Sequence, residues 1–564
     1  MAVHEAGFSM RPESFVRLVL AVVCVAAVPL VAQQSPARQL TSTTGGSRAG
    51  IDVLHYTFRV EFPATGVPDT IRITTTAQVW RTAAVTALSL DLVAAMHVDS
   101  VQVNTRAAHF TRPGDSVRVE LPAGTGDTLM VAVFHHGAPS DGLVVRRDSS
   151  GWTAFGDNFP DRARQWLAVV DHPSDKALVE WDVLAPSTHR VIANGLLVAE
   201  TPEVTPTPAR RVRTRWRTLR PIYPSVMVIG VAPFAVLDLG DTACGLGELP
   251  GCVRQSVWTT PSQRAVLPGN FARAGDIVAF FSQLVGPFPY EKLAHVASST
   301  RFGGMENAAA IFYDGKMFSG AGPKENLIAH ETAHQWFGDA VTEREWPHVW
   351  LSEGFATYFA ALWTEHAHGD SAFRAERIAM RARVLAAPIT MEKAVIDETL
   401  TDVRKVLNSN VYQKAGFVLH MLRTEIGDSA FFGGIRSYYA AHRHRTALTS
   451  DLQAQFERAA GRPLDWFFEQ WMRRPGFAEL TTSWRWDASR ALLIVQVVQG
   501  QRVAPFRLSL SMDVLDAGGA TQRLRLTIPA TATSSIEVPL PGGSAPTRVV
   551  FDADASIMGT VSTR

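Results

Sequence analysis

At 564 residues the chain is too long for one ordinary domain, and three or four units are the expectation. Apolar residues make up 46% and charged residues 19%, an ordinary globular balance that excludes a disordered or fibrous chain. A formal net charge of +1 excludes a strong basic field of the kind that attracts nucleic acid, so no nucleic-acid partner is expected and the function must be sought in a local site.

The amino terminus has the order of an export signal. Arg11 and Arg17 precede the uncharged run LVLAVVCVAAVPLVA at 18–32, and QQSPAR follows. Residues 1–33 are assigned as a signal peptide, with the mature chain starting near Gln33. A retained anchor is the alternative, but a span needs about 20 apolar residues, this run is shorter, and Pro29 interrupts it. No stable membrane span is therefore expected after cleavage, and a periplasmic or extracellular location is. Export removes Cys24 and leaves Cys244 and Cys252 in CGLGELPGC, where an even pair in an oxidising compartment suggests one local disulfide.

Residues 45–260 read as an amino-terminal β-domain. Period-two stretches such as YTFRVEF and TIRITTTAQVW recur between Gly, Pro and Asp clusters. In RRVRTRWRTL, Arg211, Arg213, Arg215 and Arg217 alternate with Val212, Thr214, Trp216 and Thr218, which predicts a strand with a solvated arginine face. Near residue 270 the period changes, and NFARAGDIVAFFSQLV, DSAFFGGIRSYYAAH and TSDLQAQFERAAG have helical spacing. This α-rich unit is assigned to 261–475. From 476 to 564 the chain alternates again, as in LLIVQVVQ and PFRLSLSMDV. The expected fold class is multidomain α+β.

Within the α-rich unit stands HETAHQWFGD, 330–339. Residues four apart share a helix face, so His330 and His334 can bind one ion. Imidazole suits zinc, and a catalytic zinc takes three protein ligands and leaves its fourth position to water. Glu331 would sit beside that water as the general base. Downstream, Glu353 interrupts the apolar WPHVWLSEGFATYFAALW, and burying a carboxylate among aromatics is costly unless it is paired or bound to metal. The intervening chain is long enough for one helix to end and a second to return antiparallel, so Glu353 is the expected third ligand of one Zn2+.

HETAHQWFGD…WLSEGFATYF resembles the gluzincin aminopeptidases, the family of aminopeptidase N and leukotriene hydrolase. FGGMEN at 302–307 resembles that family's exopeptidase signature, which sets it apart from thermolysin-type endopeptidases. Its chemistry agrees: Gly303 and Gly304 permit close backbone approach, as where an extended peptide adds to a strand edge beside Met305 and Asn307, and Glu306 offers a carboxylate for a free α-ammonium. VYQKAG at 411–416 is similar to the segment that bears the family's catalytic tyrosine, which implies Tyr412 as a hydrogen-bond donor to the oxyanion. The resemblance also implies a second amine anchor upstream of a segment matched here by DHPSDK, 171–176. Where the family carries Gln or Glu, this chain has FGDNFPDRARQW, which leaves Asp157 or Asn158 as the substitute.

The family's architecture implies an amino-terminal β-domain, a thermolysin-like catalytic domain and a carboxy-terminal β-sandwich. Its activity implies hydrolysis of the first peptide bond of peptides with a free amino terminus. The same metal site allows another hydrolase, such as an epoxide hydrolase, and a silent peptide-binding protein is the non-enzymatic alternative.

Overall fold

The computed structural model describes residues 50–564 except 125, 149–150, 204–209, 246–251, 266, 319–323 and 541–544. The expected export segment lies outside the described residues. Among those described, no helix is long and apolar enough to cross a membrane.

The amino-terminal region is built on an eight-stranded sheet with Ile51–Glu61 near its middle, antiparallel to Ile71–Arg81 and parallel to Leu178–Pro186. Ile51 and Val53 point into the core, and so do Tyr56, Phe58 and Val60. The change of parity between the two sets coincides with a register shift between Val53 and His55, where an inserted residue moves the alternation by one. The arginine strand is Arg211–Arg217, as its alternation predicts. Thr214 and Trp216 are buried, while Arg211 pairs with Glu203 at 2.6 Å and Arg213 with Asp182 at 2.5 Å.

A five-stranded sheet follows, in the order Ala235–Thr242, Val253–Thr259, Lys292–Ser298, Ala310–Asp314, Gly304–Met305. Its first two strands lie before residue 260, so a boundary placed there cuts through one sheet. Alternation identifies a strand, but sheet membership is set by pairing. Val253–Thr259 runs parallel to Lys292–Ser298, and the connection between them carries the helix Ala274–Val285. Cys244 and Cys252, at the ends of the hairpin joining the first two strands, form the expected disulfide.

The helices Glu325–His334, Trp350–His368, Asp370–Ala386, Ala415–Ile426, Asp428–His442 and Thr449–Ala460 complete this part. Trp350–His368 is buried from Trp350 through Ala356 and again from Tyr358 through Thr364. A helix apolar on all sides belongs at the centre of its domain, and this one packs against Glu325–His334, Asp370–Ala386 and Ala415–Ile426. The last region has a four-stranded sheet, ordered 533–539, 492–499, 478–487, 559–563, and a three-stranded one, ordered 521–528, 508–515, 548–551. It is tied to the helices by Trp471 stacked on Phe506 at 4.6 Å and by the Arg381–Asp552 ion pair. The chain is thus multidomain α+β.

Candidate metal centre and substrate cavity

Helical spacing brings His330 and His334 onto one face of Glu325–His334, and their Nε2 atoms lie 3.2 Å apart. Glu353, in the first turn of the next long helix, places Oε2 3.4 Å from His330 Nε2 and 3.3 Å from His334 Nε2. The Nδ1 of His334 faces the Phe337 carbonyl at 3.2 Å, an obligate acceptor, so Nδ1 carries a proton and Nε2 is the nitrogen left to ligate an ion once its own proton is displaced. Ser352 Oγ, 2.9 Å from the same Nδ1, steadies the ring. Glu353 Oε2 has no hydrogen-bond donor. Two imidazole nitrogens and a carboxylate oxygen therefore converge within 3.4 Å of one another, an arrangement in which a cation can take the place of their shared protons.

The donor set fits zinc. Ligands about 2.0–2.1 Å from a tetrahedral ion lie roughly 3.3 Å from one another, which is the spacing observed. Burial opposes charge on His334, but the facing Glu306, Glu353 and Glu331 outweigh it and hold the imidazole well above its usual range. Burial also works to raise the Glu353 carboxyl, yet His334 and His330 overcome it and bring the group down to about 2. The His334 shift reflects the carboxylates gathered around it in low dielectric, and the Glu353 shift reflects the histidines beside it; a divalent ion would meet the same carboxylates.

The cluster opens into a cavity of about 380 Å³, lined also by Gly303, Gly304, Met305, Glu306, Glu331 and Tyr412. Glu331 lies over the edge strand Gly304–Met305. A Cβ at Gly304 would overlap its carboxylate, so the glycine makes room for Glu331 instead of for a ligand; Gly303 faces open space. Burial raises the Glu331 carboxyl well above its usual range, with Glu306 and Glu353 adding to the effect, and its Oε2 has no partner. Glu306 is only 6% exposed, and no Lys or Arg among the described residues neutralises it.

Tyr412 lies in a single π-turn, Asn410–Lys414, and its hydroxyl donates to Glu353 Oε1 at 2.7 Å. That reach depends on close helix approach: a Cβ at Gly354 would stand 2.6 Å from Ala415 Cβ, so only glycine lets the two segments meet. Asn307 is fully buried and does not line the cavity; its Nδ2 reaches the Met305 carbonyl at 3.5 Å, which makes it a support for the signature loop.

Asp157 and Asn158 do not reach the cavity. Asp157 is buried against Arg162 at 2.8 Å and Arg301 at 3.3 Å, the pairing that makes a buried carboxylate tolerable. Asn158 donates to the Met227 carbonyl at 2.6 Å and accepts from Trp166 Nε1 at 2.9 Å. From this segment it is the neighbouring Phe159 that lines the cavity.

Several supporting residues escaped the sequence reading. Gln335 donates to the Glu306 carbonyl and to Asp339 Oδ2, each at 2.9 Å, and accepts from Ala309 N at 2.8 Å, joining the ligand helix to the signature loop. Lys176, the last residue of DHPSDK, donates to the Asp339 carbonyl at 2.7 Å and the Ala340 carbonyl at 3.0 Å. These carbonyls lie in the turn that follows the ligand helix, so Lys176 holds that turn in place. Glu376, Met380 and Arg383 add a wall from Asp370–Ala386.

Residues 273–471 match the model of the peptidase family M1 domain, a segment that contains the three ligands, Glu331, Glu306 and Tyr412. This segment is similar to a peptidase family M1 domain. The chain is 27% identical over 423 residues to tricorn protease-interacting factor F2 of Thermoplasma acidophilum, covering 69% of this chain and 49% of that protein. It is 26% identical over 344 residues to aminopeptidase M1-A of Oryza sativa subsp. japonica, 56% of this chain and 36% of that one. The chain spans about half the length, or less, of these curated relatives. Among solved structures, the M1 zinc metallopeptidase of Deinococcus radiodurans superposes with a TM-score of 0.65 at 25% identity, covering 76% of this chain and 94% of that one. A mutant of the Deinococcus enzyme bound to the substrate Tyr-ser-ala gives the same TM-score and identity. The matched segment begins after the first two strands of the five-stranded sheet, so the sheet beside the candidate metal-binding helices has an edge that lies outside it.

Proposed function

We propose that the chain is a zinc-dependent aminopeptidase that holds one zinc ion on His330, His334 and Glu353 and hydrolyses the first peptide bond of peptides with a free amino terminus. The observation that carries this reading is the un-neutralised Glu306 carboxylate in the same cavity as the three convergent ligand atoms. A peptide's α-ammonium supplies the cation Glu306 lacks, and that anchor fixes the scissile bond one residue from the chain end. The names of the plant relatives and the peptide-bound Deinococcus structure support it.

When bound, zinc polarises the scissile carbonyl and acidifies an attacking water. Glu331 takes the water's proton and delivers it to the departing nitrogen; its position over Gly304 puts it beside a peptide laid along the sheet edge. Tyr412 exchanges its bond to Glu353 for one to the carbonyl oxygen as charge develops there. Export to a periplasmic or extracellular location, after removal of residues 1–33, belongs to the same proposal and is supported by the charged and apolar order of the leader and by the Cys244–Cys252 bridge. So does the reading of the three regions as an amino-terminal β-domain, a thermolysin-like catalytic domain and a carboxy-terminal β-sandwich.

A panel of aminoacyl-anilides, each with and without an amino-terminal acetyl group, tests the activity. Cleavage of the free-amine set alone is expected. Equal cleavage of both sets would contradict an aminopeptidase, and cleavage of neither by zinc-loaded protein would point to a non-peptide substrate or a binding role.

A further inference from the structure

A second cavity, about 500 Å³, lies where the helices meet the carboxy-terminal sheets, away from the metal ligands. It is lined by five arginines, Arg374, Arg377, Arg423, Arg523 and Arg525, against the four carboxylates Glu365, Asp370, Asp428 and Asp554. The carboxylates are unevenly shared. Arg423 holds Glu365 and Asp428, each at 2.8 Å, and Arg523 holds Asp513 at 2.6 Å with Asp554 at 3.9 Å. Arg374 spends its Nε and Nη2 on the Ala553 carbonyl. Among the described residues no carboxylate lies within 4.0 Å of Arg374, Arg377 or Arg525.

Arg377 is the sharpest anomaly. It is 8% exposed, its Nε has no partner, and its one hydrogen bond runs from Nη1 to His420 Nε2 at 2.7 Å. A guanidinium only donates, so His420 accepts and is neutral, and it offers no compensating charge. The Phe373 ring, 4.6 Å from the guanidinium carbon, and the more distant Asp554 and Glu365 carboxylates offset part of the cost, but no anion is in contact with it. A buried cation without a counter-ion is strongly unfavourable. A planar guanidinium fork matches oxyanions, which it can bind with two parallel hydrogen bonds.

We propose that this cavity is an oxyanion site for phosphate chemistry, either inorganic phosphate or a phosphate monoester, held by Arg377 with Arg374 and Arg525. The site joins two helices that also build the catalytic cavity to a third that follows the turn carrying Tyr412. Glu365 follows Glu353 on one helix, Arg374 and Arg377 share a helix with Glu376, Met380 and Arg383, and His420 and Arg423 lie on the helix after Tyr412.

The test is calorimetric titration of the full chain with inorganic phosphate and with phenyl phosphate, at fixed ionic strength in chloride, before and after zinc removal. Binding that survives zinc removal and weakens about tenfold or more in Arg377→Gln and in Arg525→Gln is expected. Tighter binding of phenyl phosphate assigns the monoester, and tighter or equal binding of phosphate the free ion. Arg525 is exposed, so its variant decides if Arg377→Gln does not fold. No binding of either probe at 10 mM, a loss of binding on zinc removal, or binding unchanged in a folded variant would overturn the proposal.

Discussion

The metal centre and the arginine strand Arg211–Arg217 both carry dense charge, and they treat it in opposite ways. On the strand, Arg211 and Arg213 have carboxylate partners at the surface, while Arg215 and Arg217 face solvent. At the candidate metal centre two imidazole nitrogens and a carboxylate oxygen face one another, Glu331 Oε2 has no partner, and Glu306 has no Lys or Arg beside it, all buried except the partly exposed His330. Water and flexible partners settle surface charge at little cost, whereas buried and uncompensated charge persists only where a ligand completes it. Paired charge here is architecture, and unpaired burial marks the site.

The largest expected break comes from Glu331→Gln. The amide keeps the shape but cannot take a proton, so turnover should fall on the order of 10³–10⁴-fold with zinc content unchanged. Steady-state rates beside metal analysis check this, and near-normal turnover would remove Glu331 as the base. Next is Tyr412→Phe, which should lower kcat about 10²-fold and leave KM nearly intact, because its bond to the oxygen forms only as charge develops. A rise in KM with kcat preserved would make Tyr412 a binding residue instead. Glu306→Ala should cost about 10²-fold in kcat/KM on free-amine anilides while leaving any residual rate on acetylated ones unaltered, so the ratio of the two is the readout.

A smaller effect, on stability, separates buried charge from paired charge by pH. Burial raises the Asp175 carboxyl to about 8, although Val53 N–H and the Tyr56 hydroxyl oppose it. The unfolded chain releases this proton near 4. Between about pH 4 and 8 the folded state binds the extra proton, so this group's contribution falls as pH rises through that window. Asp175→Asn abolishes the titration and should gain on the parent by at most about 1.4 kcal/mol per pH unit, as thermal melts at pH 5 and 8 would show. A constant gap would contradict the shift. The smallest effect belongs to the strand: Arg215→Ala should change stability by less than about 0.5 kcal/mol, and a larger loss would show that the arginine face does more than meet solvent.

What was legible in the sequence was what is local. His330 and His334 are one helical turn apart, and Glu353 follows closely enough that one antiparallel return completes the triad. Tyr412 came only from resemblance, because its approach to Glu353 depends on Gly354 packing on Ala415, a contact with no periodic signature. Lys176 stood in a segment already singled out, yet its partner carbonyl on Asp339 is 163 residues away. Asp157 and Asn158 were misplaced for the same reason. The sequence shows a polar residue near the right position, but not that Arg162, Arg301, Trp166 and the Met227 carbonyl already engage it. Alternation before residue 260 identifies strands, but it carries no sign that Ala235–Thr242 and Val253–Thr259 share a sheet with Lys292–Ser298, since that parallel pairing is settled across an intervening helix.

The central claim is that three converging ligand atoms hold one catalytic zinc, and the most direct measurement is a zinc titration of chelated protein, following aminoacyl-anilide hydrolysis and bound metal together. The account predicts activity that rises linearly and saturates at one equivalent, with His334→Ala neither retaining metal nor recovering activity. Full activity in metal-free protein, or recovery by His334→Ala equal to that of the parent, would contradict it.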